Sequence, residues 1–151
     1  MSDWSYTWMQ VAHVVAQRSK CDRAQVGAVI VDQRQRIIAT GYNGPAAGFP
    51  QAGNCRSYCE RANGVITPGT YGWCPAIHAE ANALLYVDRS AVEGGTLYCT
   101  HFPCMDCAKL ISNSGLAKVY APITDADAHR DPHKVMDYLT SCGLTVINLR
   151  M

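Results

Sequence analysis

Apolar residues at Trp4, Trp8, Val11, Ala12, Val15 and Ala16 recur at helical spacing, which predicts a helix over 4–19 with Asp3 as its N-cap. The pattern then changes. "VGAVIVD" (26–32) is a continuous apolar run, and "RIIATGY" (36–42) is a second β-rich one. The short polar link Asp32 to Gln35 suits an antiparallel hairpin between them. From Gly41 to about Gly72 periodicity fades into Gly, Pro, Asn and Cys, a stretch too long to be an idle connection in a compact domain. Helical spacing resumes over 77–88. "GTLYCT" (95–100) reads as a strand, and a helix follows from near Cys104 to Gly115. "KVYAPI" (118–123) is the next strand. A helix from Pro132 to Cys142, with Asp131 as N-cap and Gly143 at its end, leads into a last strand, "LTVINL" (144–149). Strands joined through a helix should be parallel, so the pattern predicts an α/β fold with a mixed five-stranded sheet.

Composition narrows the class. A chain of 151 residues fits one domain, and 48% hydrophobic against 17% charged residues is a globular balance. The formal net charge of +1 gives no electrostatic reason to expect nucleic acid as a partner. No run approaches the length of a membrane span, and "MSDWSYTWMQ" has no basic stretch ahead of an apolar one, so neither a membrane nor a leader is expected. The chain has 8 cysteines. In the reducing cytoplasm, the expected location, clustered cysteines read first as metal ligands.

Two short stretches carry the chemistry. "CPAIHAEANALLY" (74–86) places His78 two residues before Glu80, and "PCMDC" (103–107) places Cys104 and Cys107 one helical turn apart. Both lie at predicted helix starts, where free backbone N–H groups favour thiolate over thiol. One imidazole and two thiolates form the three-ligand set of a catalytic zinc whose fourth position holds water. Glu80 argues against a purely structural clip, which needs a fourth ligand and no adjacent base. It stands where it can move the proton of an attacking water. Either half alone is weak; together they form the H-x-E…P-C-x-x-C signature of zinc deaminases.

This order of elements and this motif resemble the cytidine deaminase-like superfamily over essentially the whole chain. Within it, "SKCDRAQVGAVIVD", "GYNGPAAG", "HAEANA" and "LYCTHFPCMDCAKLI" look most like deoxycytidylate (dCMP) deaminases. The resemblance implies a three-layer α/β/α fold, residues 1–151 as a single zinc-dependent deaminase domain with a Cys-containing insert at about 43–74, and hydrolysis of dCMP to dUMP and ammonia. That activity would supply dUMP for thymidylate synthesis. It makes His78, Cys104 and Cys107 the zinc ligands and Glu80 the proton shuttle. The backbone N–H of Ala79 or Cys104 would face the attacking oxygen or the base carbonyl. Asn43 would contact the sugar, although an Asn in such a segment also serves as a plain turn residue.

The resemblance extends to a second, structural zinc. Cys55 and Cys59 have chelating spacing, and Cys21 and Cys74 flank the first strand and the His78 helix, so four thiolates without a nearby base would close a tetrahedral site. The ion would order the insert by offsetting its conformational entropy. Cys99 and Cys142 read instead as small buried apolar residues. For the substrate phosphate, Arg23 is the first candidate, with Lys20 and Arg56 behind it and exposed surface as the plain alternative. Two positions depart from the family: Pro75 stands where an Arg is common, and "TDADAHRDPH" replaces a segment with an aromatic residue. Asp125, Asp127, His129 and His133 there would border the substrate mouth or serve as a polar loop and helix cap. The family also implies a homohexamer regulated by dCTP with Mg2+ and by dTTP. Rival readings are a deaminase of a 5-substituted dCMP or other cytosine nucleotide, a deaminase of another base, and a non-catalytic, zinc-stabilised binding protein.

Overall fold

The computed structural model describes residues 3–50, 55–65 and 72–151. Helix α1 (Trp4–Ala16) is capped by the Asp3 carboxylate, which accepts from the Ser5 N–H. It stops three residues short of the predicted end, where Gln17, Arg18 and Ser19 close tighter turns onto Val14, Val15 and Ala16. Strands β1 (Gly27–Val31) and β2 (Ile37–Tyr42) form the expected antiparallel hairpin. Asp32 shapes its turn: Oδ1 accepts from the Arg34 and Arg36 amides, and Gln35 takes a left-handed φ of 62°.

A two-residue strand β3 (Gly44–Pro45), a 3-10 turn (Cys55–Ser57) and a short α2 (Glu60–Asn63) follow. Strand β4 (Ala76–Ile77) pairs antiparallel with β3 just before α3 (Ala79–Leu85). The helix expected over 77–88 is therefore shorter at both ends, and a second, separate helix follows it. The first breaks at Tyr86, and the chain restarts helix as α4 (Arg89–Val92) after the extended Asp88, whose carbonyl accepts from Ala91 and Val92. Then come β5 (Thr96–Cys99), α5 (Met105–Ser112), β6 (Lys118–Ala121), a 3-10 helix (Asp125–Arg130), α6 (Pro132–Ser141) and β7 (Thr145–Asn148). The loop expectation over 41–72 is interrupted by β3, the 3-10 turn and α2; its residues 51–54 and 66–71 lie outside the described residues.

The sheet order is β2-β1-β5-β6-β7, with β1 antiparallel to both neighbours and β5, β6 and β7 mutually parallel. Its two faces carry separate cores. On one, Met9 and Ala12 of α1 cover Val29, Val31 and Tyr98. On the other, Ala79 and Ala83 of α3, Ile111 of α5 and Leu139 of α6 cover Ala28, Ile30, Leu97 and Cys99. This is the three-layer α/β/α arrangement. Because β1 is covered on both sides, all five of its residues are buried, which explains its unbroken apolar sequence. Two glycines set the layer spacing. A Cβ on Gly27 would lie 2.0 Å from the Ala12 carbonyl, and one on Gly41 would lie 2.3 Å from the Ala79 carbonyl. The second close approach seats the first turn of α3 on β2.

Candidate active site

Three ligand-bearing positions converge because two helices start at the same place. His78 is the N-cap of α3 and Cys104 the N-cap of α5, neither using its side chain for capping. Cys107 lies one turn further along α5. The His78 Nδ1 is 3.5 Å from the Cys104 Sγ and 3.3 Å from the Cys107 Sγ. Among the described residues, this is the one group of three or more His, Cys, Asp or Glu side chains whose ligand atoms all lie within 4.8 Å of one another. The β5–α5 loop leaves the carboxyl end of a parallel strand, a usual position for α/β sites.

The protonation of the triplet fits a metal. Cys104 is pushed down to about 3, first by the hydrogen bond that it accepts from Cys107 and then by His78. Cys107 is pushed up by donating that bond and by its burial, and His78 is pushed up by its contact with Cys104. The three groups thus share protons around one thiolate. A zinc ion in their midst would take the place of those protons, with one borderline and two soft donors and a fourth position left open.

Glu80 lies in the first turn of α3 and is only 4% exposed. Its Oε1 lies 3.4 Å from the Cys99 Sγ. Ala79, also buried, opens the helix, and its backbone N–H is among those that the helix leaves without an internal partner. Asn82, one turn on, donates to the Tyr42 carbonyl and ties α3 to the end of β2. Asn43 is held from both sides: Oδ1 accepts from the Val26 N–H at 2.9 Å, and Nδ2 donates to the Ala24 carbonyl at 2.9 Å. Its amide therefore braces the entry to β1 and retains one N–H beyond that bond. Arg23 and Lys20 are exposed, whereas Arg56 pairs with Asp22 at 3.6 Å.

Cys21 and the three insert cysteines Cys55, Cys59 and Cys74 all bear on the Tyr58 hydroxyl, but they do not form a group of three or more ligand atoms within 4.8 Å of one another. They sit as two neighbouring sets. Cys59 and Cys74 share a hydrogen bond. Cys55 accepts from the Asp22 amide at 3.1 Å with Cys21 nearby, while the Cys21 sulfur accepts from Ala24. Burial pushes Cys55 up to about 11 and raises Cys74 as well.

Residues 2–122 match the family model described as the cytidine and deoxycytidylate deaminase zinc-binding region. The chain belongs to this deaminase family. The deoxycytidylate deaminase of Mycobacterium phage D29 is 44% identical over 126 residues, covering 80% of this chain and 94% of the phage protein. That of Enterobacteria phage T4 is 34% identical over 178 residues, covering 95% and 88%. Among solved structures, the dCMP deaminase from the cyanophage S-TIM5 in complex with dCMP and dUMP matches with a TM-score of 0.75 at 33% identity over 99% of each chain. This deaminase is therefore a hydrolytic enzyme of a zinc-binding family, and its His78, Cys104 and Cys107 form a donor set suited to that metal.

Three features of this deaminase's site escaped the motif. Cys99 is buried, as expected of an apolar filler, but against the Glu80 carboxylate, whereas Cys142, expected to be buried too, is exposed at the end of α6. The alternation of β5 carried the signal, since Leu97 and Cys99 share the face that α3 covers. Secondly, the 3-10 helix brings a charge to this end of the sheet: His101 is pushed down first by burial and then by Arg130, which also opposes, without reversing, the upward shift of His78. Thirdly, Asp127 takes the capping role: it is buried and closes a capping box with Thr124. It accepts from the Thr124 N–H and hydroxyl and pairs with Arg130. Asp125, His129 and His133 are exposed, and Pro75 leads directly into β4. No helix among the described residues is long and apolar enough to cross a membrane.

Proposed function

We propose that this chain converts dCMP to dUMP and ammonia, with residues 1–151 acting as one domain. The observation that carries the reading is the buried Glu80 carboxylate, two residues after His78, beside the His78–Cys104–Cys107 donor set. Zinc held by those three side chains supplies the Lewis acidity that activates water at neutral pH. The other work belongs to the chain. Glu80 takes a proton from the attacking water and gives it to N3 of the cytosine ring. It then moves the proton of the new C4 hydroxyl to the amino group, which leaves as ammonia. The Ala79 N–H, at the start of α3, is placed in this reading against the base carbonyl. Asn43 offers its remaining N–H to the deoxyribose. Arg23, exposed ahead of β1, reads the 5′-phosphate. The cyanophage relative, bound to dCMP and dUMP, supports this choice of substrate and product.

The finer readings rest on the family resemblance and on the cysteine positions. Cys21, Cys55, Cys59 and Cys74 hold a second, structural zinc that orders the insert. The enzyme is a cytoplasmic homohexamer, activated by dCTP with Mg2+ and inhibited by dTTP, and its dUMP feeds thymidylate synthesis. Ammonia release from a panel of cytosine nucleosides and nucleotides tests the substrate. The expected result is turnover of dCMP well above deoxycytidine, with a sigmoidal rate curve that dCTP makes hyperbolic. In Arg23→Ala, KM should rise far more for dCMP than for deoxycytidine. Preference for a 5-substituted nucleotide would replace the substrate, and no release from any of them would favour a binding protein.

A further inference from the structure

Cys99 ends β5 and is used by no step above. Its side chain is fully buried, at 0% exposure, with Sγ 3.4 Å from Oε1 of Glu80. In this contact the thiol donates and the carboxylate oxygen accepts. Burial, and then the charge of Glu80, push the thiol well above its ordinary range, so it remains a donor at neutral pH. Cys107 also bears on Glu80, but as a metal ligand it has no proton to give once an ion is bound. A position that needed only volume would be served as well by Val, which would leave Oε1 of a buried carboxylate without this donor.

We infer that Cys99 is a positioning residue for the deamination: its S–H holds Oε1 of Glu80 and so fixes the orientation of the carboxylate that transfers the protons. The inference rests on the deaminase reading of Glu80. A proton shuttle has to reach the water, N3 and the departing nitrogen in turn, and small displacements of such groups cost rate steeply. The S–H bond is weak, so its loss should loosen the carboxylate without removing it.

Cys99→Val and Cys99→Ser separate this role from simple packing. In Cys99→Val, kcat for dCMP should fall about tenfold, with KM, zinc content and thermal stability close to wild type. Cys99→Ser, whose hydroxyl still donates, should recover most of kcat. Infrared spectroscopy gives a readout independent of turnover, because the S–H stretch absorbs where little else in a protein does. The wild-type minus Cys99→Val difference should show a band displaced from that of a free thiol, and the band should move in Glu80→Gln. If Cys99→Val fails to fold, Cys99→Ala replaces it in both measurements. Full kcat in the variant without a donor, equal losses in the Val and Ser variants, or a band at the free-thiol position that ignores Glu80→Gln would each overturn the role. A wild-type chain inactive on dCMP yet showing the displaced band would instead reject the functional reading, and the positioning role with it, while leaving the hydrogen bond standing.

Discussion

Asp127 shows how one side chain organises the segment that follows β6. Burial alone would raise its pKa, but the Thr124 N–H and hydroxyl and the Arg130 guanidinium outweigh it and hold the carboxyl below its ordinary value. A depressed carboxylate adds stability that is present above the unfolded-state pKa, about 4, and is lost as pH falls through the folded one. Asp127→Asn should therefore cost about 1–3 kcal/mol near neutral pH, with the gap to wild type closing below about pH 4. Urea unfolding across that range checks it; a gap independent of pH would assign the cost to packing. At this scale the motif made His78, Glu80, Cys104 and Cys107 legible, because metal and proton chemistry demand those side chains at close spacing. Cys99 and Arg130 were hidden because the alternation of β5 tells which face Cys99 takes but not that Glu80 lies against it, and because Arg130 is brought in by a 3-10 turn that leaves no spacing in the sequence.

Among the elements, helix starts do most of the positioning. Those of α3 and α5 each place a candidate ligand at the N-cap, where the helix contributes free N–H groups and a favourable dipole. Those starts were legible from the position of Pro103 and the apolar periodicity behind His78. The β3–β4 pair was not, since two residues per strand are too few to show alternation. That pair matters, because it ties the Asn43 segment to the residues just before His78. Cys74 stands at the same junction, hydrogen-bonded to Cys59, while Glu60 and Trp73 exchange hydrogen bonds across it. Metal analysis of purified enzyme should find two zinc ions per chain. Cys55→Ser should retain one, with the insert more open to proteolysis. Fully active enzyme with one zinc per chain would reject the structural site.

Across the whole molecule, the sheet order carries the site. With β1 antiparallel between β2 and β5, and β5 leading the parallel set, α3 and α5 lie side by side on one face. The close approaches at Gly27 and Gly41 then fix how near α1 and α3 lie to the sheet. The class of this architecture was legible, since apolar runs bounded by turn residues specify strands, and helical links between the later ones require parallel pairing. The lateral contacts that press Cys99 against Glu80 were not, because they depend on packing between layers. The central claim is that Glu80 moves protons beside a zinc held by His78, Cys104 and Cys107. Its most direct test is dUMP and ammonia formation from dCMP by wild-type enzyme and Glu80→Gln, each with its zinc content measured. Glu80→Gln should keep its zinc and lose about 10²–10⁴-fold in kcat. A zinc-loaded Glu80→Gln enzyme that deaminates dCMP at the wild-type rate would contradict it.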